Sequence, residues 1–420
     1  MKAVIIGSGL IGTTSAYFLA RRGWEVTVLD RQEGPARETS FANGSLLTPS
    51  MPEPWNAPGS WRVLLKSIGR SDSPLKLRVK AMPQLARWGL GFLRNSSPAR
   101  YRRNSVKNLK LALHSIEVMG RLRREIDLEY GGAAPGTLRV IRDAAALARA
   151  LEWAEELRAE GLTYRRLSPA EIVAMEPALA PISAHLAGGI HYPVDEMGNA
   201  YKFCVALAEH ARRAGVDFRF STPVTDIELH RENVTAVRSG DQRFSADRYV
   251  IAAGSYSPLL LKGLGLPVRP AKGYSITFER PPLELPFRVP VADDDFHAVV
   301  VPLENVIRVA GTAEFTGYDL TLPEARIENL LTLVRQVLPN GGFERAAAKP
   351  WCGLRPMSVD GVPIIGKTPL ANLWINTGHG PLGWTMAAGS GQLLADLLTG
   401  GSPAVDPDAY ALARFSDKYK

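Results

Sequence analysis

The sequence predicts an α/β fold in two parts: a Rossmann-like nucleotide-binding domain, and a second, sheet-based domain. Three observations lead there. First, Lys2–Ile6 is a short Val- and Ile-rich run, the mark of a buried strand, and it enters Gly7-Ser8-Gly9-Leu10-Ile11-Gly12 ahead of a helical pattern. Second, buried-strand patterns that end on glycine return late in the chain, at Tyr249–Gly254 and Leu373–Gly378. Third, the block from Val268 to about Lys349 mixes strand patterns, at Tyr274–Phe278, His297–Pro302 and Val306–Gly311, and reads as a second, sheet-based domain.

The first thirty residues form a dinucleotide fingerprint of the Rossmann-like kind. Gly7 permits the turn from strand to helix, Gly9 leaves room for a pyrophosphate, and Gly12 lets helix and strand pack closely. Thr13–Arg22 is the helix, stopped by Gly23. Its first amide groups, including those of Leu10 and Ile11, are free to hold phosphates. Glu25–Leu29 is the second strand, and Asp30 stands at its end, about where a carboxylate would hold a ribose hydroxyl. Asp30 favours an unphosphorylated ribose, whereas the neighbouring Arg31 suits a 2′-phosphate, so the motif alone leaves both open.

Arg37–Ser45 follows as a polar loop, and Pro49–Pro58 as a proline-rich irregular connection. Helical patterns dominate from about Trp61 to Glu129, broken at Ser96-Ser97-Pro98. Gly136–Ile141 is a strand, Ala144–Glu160 a helix, and Ser168 with Glu171 forms a capping box. Gly188–Pro193 is a strand and turn, Asn199–Ala214 a helix, and Val216–Phe220 a strand. Val224–Leu229 and Val234–Val237 form a meander, and Pro323–Val337 is a helix. Leu373–Gly378 runs through His379-Gly380-Pro381-Leu382-Gly383-Trp384 into a helix near Thr385. Residues 1–48, 198–262 and 351–420 are assigned to the nucleotide domain. Residues 49–197 and 263–350 are assigned to the second domain, with its helical insertion.

Composition excludes several classes. At 420 residues with 45% hydrophobic and 22% charged residues, the chain supports two ordinary cores. No run approaches the ~18 apolar residues of a membrane span, and the apolar N-terminal run is used as a strand rather than in a secretion signal. Two cysteines, Cys204 and Cys352, provide no disulfide framework and suggest a reducing compartment. The seven histidines show no metal-ligand spacing, so no metal is expected. The net charge of +8 concentrates between Arg62 and Arg124, including Lys66, Arg70, Lys76, Arg78, Lys80, Arg87, Arg94, Arg100, Arg102, Arg103, Lys107 and Lys110. That stretch is either a solvated helical face or a face for anionic lipid or an acidic partner. Nucleic acid is not expected. The location expected is cytoplasmic, either free or peripheral on the inner face of the cell membrane.

The combined motifs resemble the D-amino-acid oxidase-like FAD oxidoreductases, and within them the bacterial D-amino-acid dehydrogenases. The resemblance covers nearly the whole chain. Its most specific stretches are Asp30-Arg31-Gln32 with Glu38–Asn43, Lys272–Ser275, Gly353–Met357 with Asp360-Gly361, and Thr377–Gly380 through Gly383–Met386. Asn43-Gly44-Ser45 and Pro381 depart from the usual residues of the family, beside the expected flavin and substrate. The resemblance implies a Rossmann-like FAD-binding domain with a second, α+β antiparallel-sheet substrate domain that covers the flavin, an FAD cofactor, and oxidation of an amino or imino acid. Hydride passes from Cα to flavin N5, and the imine hydrolyses to a 2-oxo acid. Electrons then leave to a quinone or another acceptor that is not NAD. A narrower version takes D-proline or hydroxy-D-proline. The alternatives are a glycine- or sarcosine-type oxidase using oxygen, and an FAD-carrying subunit of a hetero-oligomer.

The same resemblance implies the site residues. Arg355 is the candidate for the substrate carboxylate, which a planar guanidinium grips with two hydrogen bonds; a plain surface ion pair is the alternative. Tyr274 is a candidate second carboxylate contact, or a packing aromatic in a strand. His379 is a candidate flavin or substrate contact, or a loop-stabilising residue. Ser40, Asn43, Gly44, Ser45 and Leu46 are expected along the ribityl chain and ring, and Val224 at the adenine. Ala253 and Gly254 are expected at the pyrophosphate. Gly353, Gly378, Gly380, Leu382, Gly383, Trp384 and Thr385 are expected around the ring, where amides and the helix start stabilise negative charge on the reduced flavin. Cys352 is read as a small buried cysteine rather than a covalent flavin attachment.

Overall fold

The computed structural model describes residues 1–59, 75–77, 82–279, 286–296 and 298–415. The expected helix after Trp61, the basic residues Arg62, Lys66, Arg70, Arg78 and Lys80, and His297 lie outside them.

Two sheets organise the molecule. One has six strands in the order Ile364–Lys367, Leu373–Thr377, Arg248–Ile251, Lys2–Ile6, Glu25–Leu29 and Asp217–Arg219. All neighbours are parallel except the first pair. Lys2–Ile6 lies between the strand that follows it and one that returns more than two hundred residues later, so the strand order reverses around it. A crevice therefore opens beyond its carboxyl end. The helix Leu10–Ala20 starts there and packs against the C-terminal helix Gly383–Thr399. Thr14 Oγ1 donates to the Ala387 carbonyl at 3.0 Å.

The second sheet runs Lys349–Ser358, Val268–Glu279, Val306–Phe315, Ala298–Leu303, Val291–Asp293, Thr137–Ile141, Gly188–Tyr192 and Arg165–Leu167, with Leu75–Leu77 added to Val306–Phe315. Its pairs are antiparallel except Val291–Asp293 with Thr137–Ile141 and Leu75–Leu77 with Val306–Phe315. Side chains alternate between its two faces. Tyr274, Ile276, Ile307 and Val309 join a core with Ile327, Leu330, Leu331 and Val334 of the helix Glu324–Val337. Ser275 and Arg308 point the other way. They meet the loop after the fingerprint, where Ser275 Oγ donates to the Ala42 carbonyl at 2.6 Å and Arg308 to Ser45 Oγ at 3.0 Å.

This arrangement differs from the expected domain division at two places. The strand Lys349–Ser358 is wholly paired in the second sheet, so the chain crosses back after Ser358 and not at 351. The helix Pro98–Glu125, expected with the second domain, buries Leu111, Ala112, Val118, Met119 and Leu122 in the core of the first. Its apolar stripe is covered by the C-terminal helix, whose Gly389 lets the Ser115 backbone approach closely.

Candidate active site

A cavity of about 800 Å³ lies between the two sheets. Gly7, Gly9, Leu10, Ile11, Asp30, Arg31, Ser40, Asn43, Gly44, Ser45 and Leu46 line it from the N-terminal segments. Val224 lines it from the segment before the strand Asp226–His230, Ala253 and Gly254 from the turn after the returning strand Arg248–Ile251, and Gly353, Arg355, His379, Gly380, Leu382, Gly383 and Trp384 from the C-terminal part. Gly12, Gly378 and Thr385 do not line it.

The fingerprint glycines act by exclusion. Gly7 has φ +106°, and a Cβ there would sit 2.6 Å from the Ala252 carbonyl oxygen. A Cβ on Gly12 would overlap the Gly7 carbonyl, so this residue seals helix to strand instead of touching a ligand. Gly9 differs: a Cβ would meet only Ser40 Oγ, at 3.4 Å, and otherwise project into open space. Gly9 offers no side-chain cap; the expected free Leu10 amide instead donates to Ser40 Oγ at 3.3 Å, which leaves the next amides of the first turn to the cavity. The helix Gly383–Thr399 likewise begins at the cavity without a side-chain cap. Thr385 instead accepts from the Thr48 amide at 3.0 Å and ties down the Leu46–Met51 segment.

Asp30 is held by three donors. Its Oδ2 accepts from the Ser8 amide and hydroxyl at 2.6 and 2.7 Å, and its Oδ1 from the Gln32 amide at 2.8 Å. Arg31 is not free for a phosphate. Its Nε donates to Glu38 at 2.6 Å, and its guanidinium lies 3.9 Å over the Tyr256 ring. That resolves the ambiguity of the motif in favour of an unphosphorylated ribose.

Arg355 sits at the other end. Opposite each other in adjacent strands, Gly273 and Gly353 leave a floor without side chains. The Arg355 guanidinium fills the space over Gly273, and the Trp351 ring fills that over Gly353. Arg355 Nη1 donates to the Thr312 carbonyl at 3.2 Å, and its Cζ lies 5.2 Å from the Trp55 ring centre. Thr312 is the extra residue of a bulge opposite Gly273 and Tyr274 and has φ +52°, a strained value that aims its carbonyl at the arginine. Among the described residues no carboxylate lies within ion-pair reach of Arg355. Burial without a counter-ion pushes its pKa down to about 10, while the side chain stays partly accessible from the cavity.

Two expectations are corrected. Tyr274 borders the cavity, but its ring belongs to the opposite face of the sheet. The hydroxyl donates to Glu314 at 2.9 Å in a buried cluster with Arg326 and Lys272. The alternation of the strand puts Gly273, not Tyr274, toward the cavity. Cys352, paired with Tyr274, shares its far face and does not line the cavity. His379 does line the cavity, but as a neutral group. Burial pushes its pKa down to about 3, its Nε2 is 2.9 Å from Ser390 Oγ, and its buried Nδ1 has no partner among the described residues.

Residues 2–397 match the family model for FAD-dependent oxidoreductases of the DAO type. The chain belongs to this family. A D-amino acid dehydrogenase of Paramagnetospirillum magneticum (strain ATCC 700264 / AMB-1) is 44% identical over 99% of both chains. The fold is shared with glycine oxidase of Geobacillus kaustophilus, at TM-score 0.75 and 24% identity over 98% of each chain. It is shared also with L-proline dehydrogenase of P. horikoshii, at TM-score 0.75 and 17% identity over 99% of this chain and 98% of that one.

The cofactor of a DAO-family oxidoreductase is FAD, and the residues present fit it. The open space at Gly9 and the first-turn amides beyond Leu10 suit a pyrophosphate, and Asp30 suits a ribose. The amides at the start of Gly383–Thr399 suit the electron-rich edge of a flavin, and the orphaned His379 Nδ1 is a hydrogen-bonding atom awaiting a partner.

Sequence reasoning missed a compartment beside Arg355. Glu53, Trp55, Tyr101, Arg139, Asp293 and Asp294 line the same cavity. Glu53 and Trp55 lie in the proline-rich connection read only as irregular. Irregular segments anchored on a scaffold are where binding residues concentrate, and that was the available signal.

Proposed function

We propose that this chain oxidises D-amino acids at Cα, releasing a 2-oxo acid after hydrolysis of the imine, and passes the electrons to a quinone-class acceptor. The observation that carries the reading is Arg355: a deep guanidinium with no carboxylate of its own, opening onto the cavity that the glycine turns also reach. An unpaired buried cation is costly, and a substrate carboxylate gripped by both arms of the fork relieves that cost. The family's amino-acid-oxidising relative supports the donor class, and its name as a dehydrogenase supports an acceptor other than oxygen.

Bound FAD supplies a two-electron acceptor. The protein's own part is to position the donor and to set the charge around it. Arg355 fixes the carboxylate, and the Thr312 carbonyl fixes Arg355. The start of Gly383–Thr399 offers amides and a positive dipole end where negative charge develops. His379 is too weak a base to take a proton. On this reading the substrate amine arrives deprotonated. The pH profile of kcat/KM is expected to follow the ammonium pKa of each substrate, shifting when the substrate is changed. A profile that stays fixed across substrates would assign the titration to an enzyme group.

The test is a panel of D-, L- and N-methyl amino acids, with D-proline and hydroxy-D-proline, scored by anaerobic bleaching of the flavin. D-enantiomers should bleach and L-enantiomers should not. Stopped-flow reoxidation then separates acceptors: a soluble quinone should outrun oxygen. Fast reoxidation by oxygen would move the chain to the oxidases. Dye-linked turnover by the isolated chain excludes a role limited to carrying FAD in a larger assembly.

A further inference from the structure

The compartment beside Arg355 has a charge arrangement that goes beyond carboxylate recognition. Three carboxylates border it. Asp294 is gripped by Arg139 with two hydrogen bonds of 2.5 and 2.7 Å, and Asp293 is held by Arg142 at 2.5 Å. Glu53 has no arginine or lysine within 4 Å among the described residues. Its Oε1 accepts from the Trp153 indole, and its own backbone amide also donates to the carboxylate, so its hydrogen-bond partners are neutral. Burial pushes the Glu53 carboxyl up, and Arg139, its nearest cation, lowers it only in part. An arriving cation would reverse that shift.

Position matters as much as charge. Glu53 is two residues from Trp55, whose ring lies under Arg355, so the α-carbons of Glu53 and Trp55 are at most about 7 Å apart. A cation and a carboxylate, each without an ion-pair partner among the described residues, thus line one compartment close to each other. Arg139 cannot substitute as an anion receptor, because Asp294 already fills its fork.

Resting on the reading of Arg355 above, we propose that Glu53 recognises the substrate side chain, and that the preferred substrates are D-amino acids whose side chain ends in a cation. An acidic side chain would meet Glu53 and its flanking carboxylates.

The test compares side chains that differ in charge but little in shape. With FAD-loaded enzyme, the best of D-ornithine, D-lysine and D-arginine should exceed D-norleucine at least tenfold in kcat/KM, and D-glutamate should be poorest. In Glu53→Gln that ratio of cationic to neutral substrate should fall at least tenfold. Equal rates for D-ornithine and D-norleucine in the native enzyme would overturn the proposal. So would a parallel loss on both in the variant, which would mean that Glu53 holds the α-amino group or the fold. A binding measurement separates this failure from failure of the reading it rests on. 5-Aminopentanoate and hexanoate carry the same carboxylate and cannot be deaminated at Cα. 5-Aminopentanoate should perturb the flavin spectrum at a concentration at least tenfold lower than hexanoate. If no D-amino acid bleaches the flavin, the D-amino-acid reading fails. If D-norleucine bleaches it as well as the cationic substrates do, only the role of Glu53 fails.

Discussion

The two ends of the cavity are built by different means. At the fingerprint end the chain works with backbone: glycines, free amides at two helix starts, and one carboxylate held by neighbours along the chain. At the Arg355 end it works with side chains drawn from the proline-rich connection, the helix Pro98–Glu125 and three strands of the second sheet. The first kind of site is specified by what is absent, since any added Cβ collides. The second is specified by charge left unpaired. The two should therefore fail differently when perturbed.

The largest effect is expected at Gly12. A methyl group there overlaps the Gly7 carbonyl, with backbone on both sides and no flexible atom to yield. Gly12→Ala should lose FAD and about 3 kcal/mol of stability or more. Gly9→Ala sharpens the contrast. Its methyl group has room in the protein and none beside a pyrophosphate, so the variant should fold with a near-native circular dichroism spectrum and bind FAD weakly. Equal damage by both substitutions, read from flavin absorbance and thermal unfolding, would erase the distinction between sealing and cradling glycines.

Arg355 should behave in the opposite way. Arg355→Met removes a cation that the fold desolvates without pairing, so thermal stability should hold or rise while FAD stays bound. Substrate binding should weaken by about 2–5 kcal/mol, the usual cost of deleting one partner of a buried charge pair. A fall in Tm together with unchanged substrate affinity would make Arg355 a structural residue.

Between these regions lies the segment that carries Glu53 and Trp55, and Asp195 anchors it. Ser50 donates to the buried Asp195 carboxylate through its hydroxyl at 2.5 Å and its amide at 3.2 Å. Burial pushes the Asp195 pKa up to about 7, although the Ser50 bonds oppose the shift. The unfolded value is about 3.9. Between about 4 and about 7 the folded chain therefore binds more protons than the unfolded one, and stability falls as pH rises through that range. Asp195→Asn cannot ionise and should flatten this slope, by a few degrees in Tm across the interval. An identical Tm profile in variant and parent would show that Asp195 stays ionised throughout.

How much of this was legible in the sequence follows the same division. Gly7, Gly9, Gly12 and Asp30 are readable because their constraints are local: strand, turn, helix and strand within thirty residues. The Ser168–Glu171 capping box is readable for the same reason, and it is present. Arg355 is found through its motif, but its lack of a counter-ion depends on what the fold leaves out of reach. Glu53, Arg139 and Asp294 meet only because distant segments converge, and no spacing records that. The helix Pro98–Glu125 shows the same limit at the level of domains. Its amphipathic stripe announces a partner surface without saying which one.

Tyr274 tests that lesson most finely, and its expected effect is the smallest. A strand's alternation sends neighbours to opposite faces, and the sequence around Tyr274 does not say which face is the cavity. The structure places Gly273 there and turns the phenol to Glu314, which Arg326 also holds at 2.7 Å. Tyr274→Phe removes one donor from a carboxylate that keeps another. It should cost about 1 kcal/mol of stability, in the range of a single hydrogen bond. The KM for a D-amino acid should not move, because the hydroxyl never meets the substrate carboxylate. A raised KM at unchanged stability would return Tyr274 to the substrate and show that the strand's faces exchange when the cavity fills.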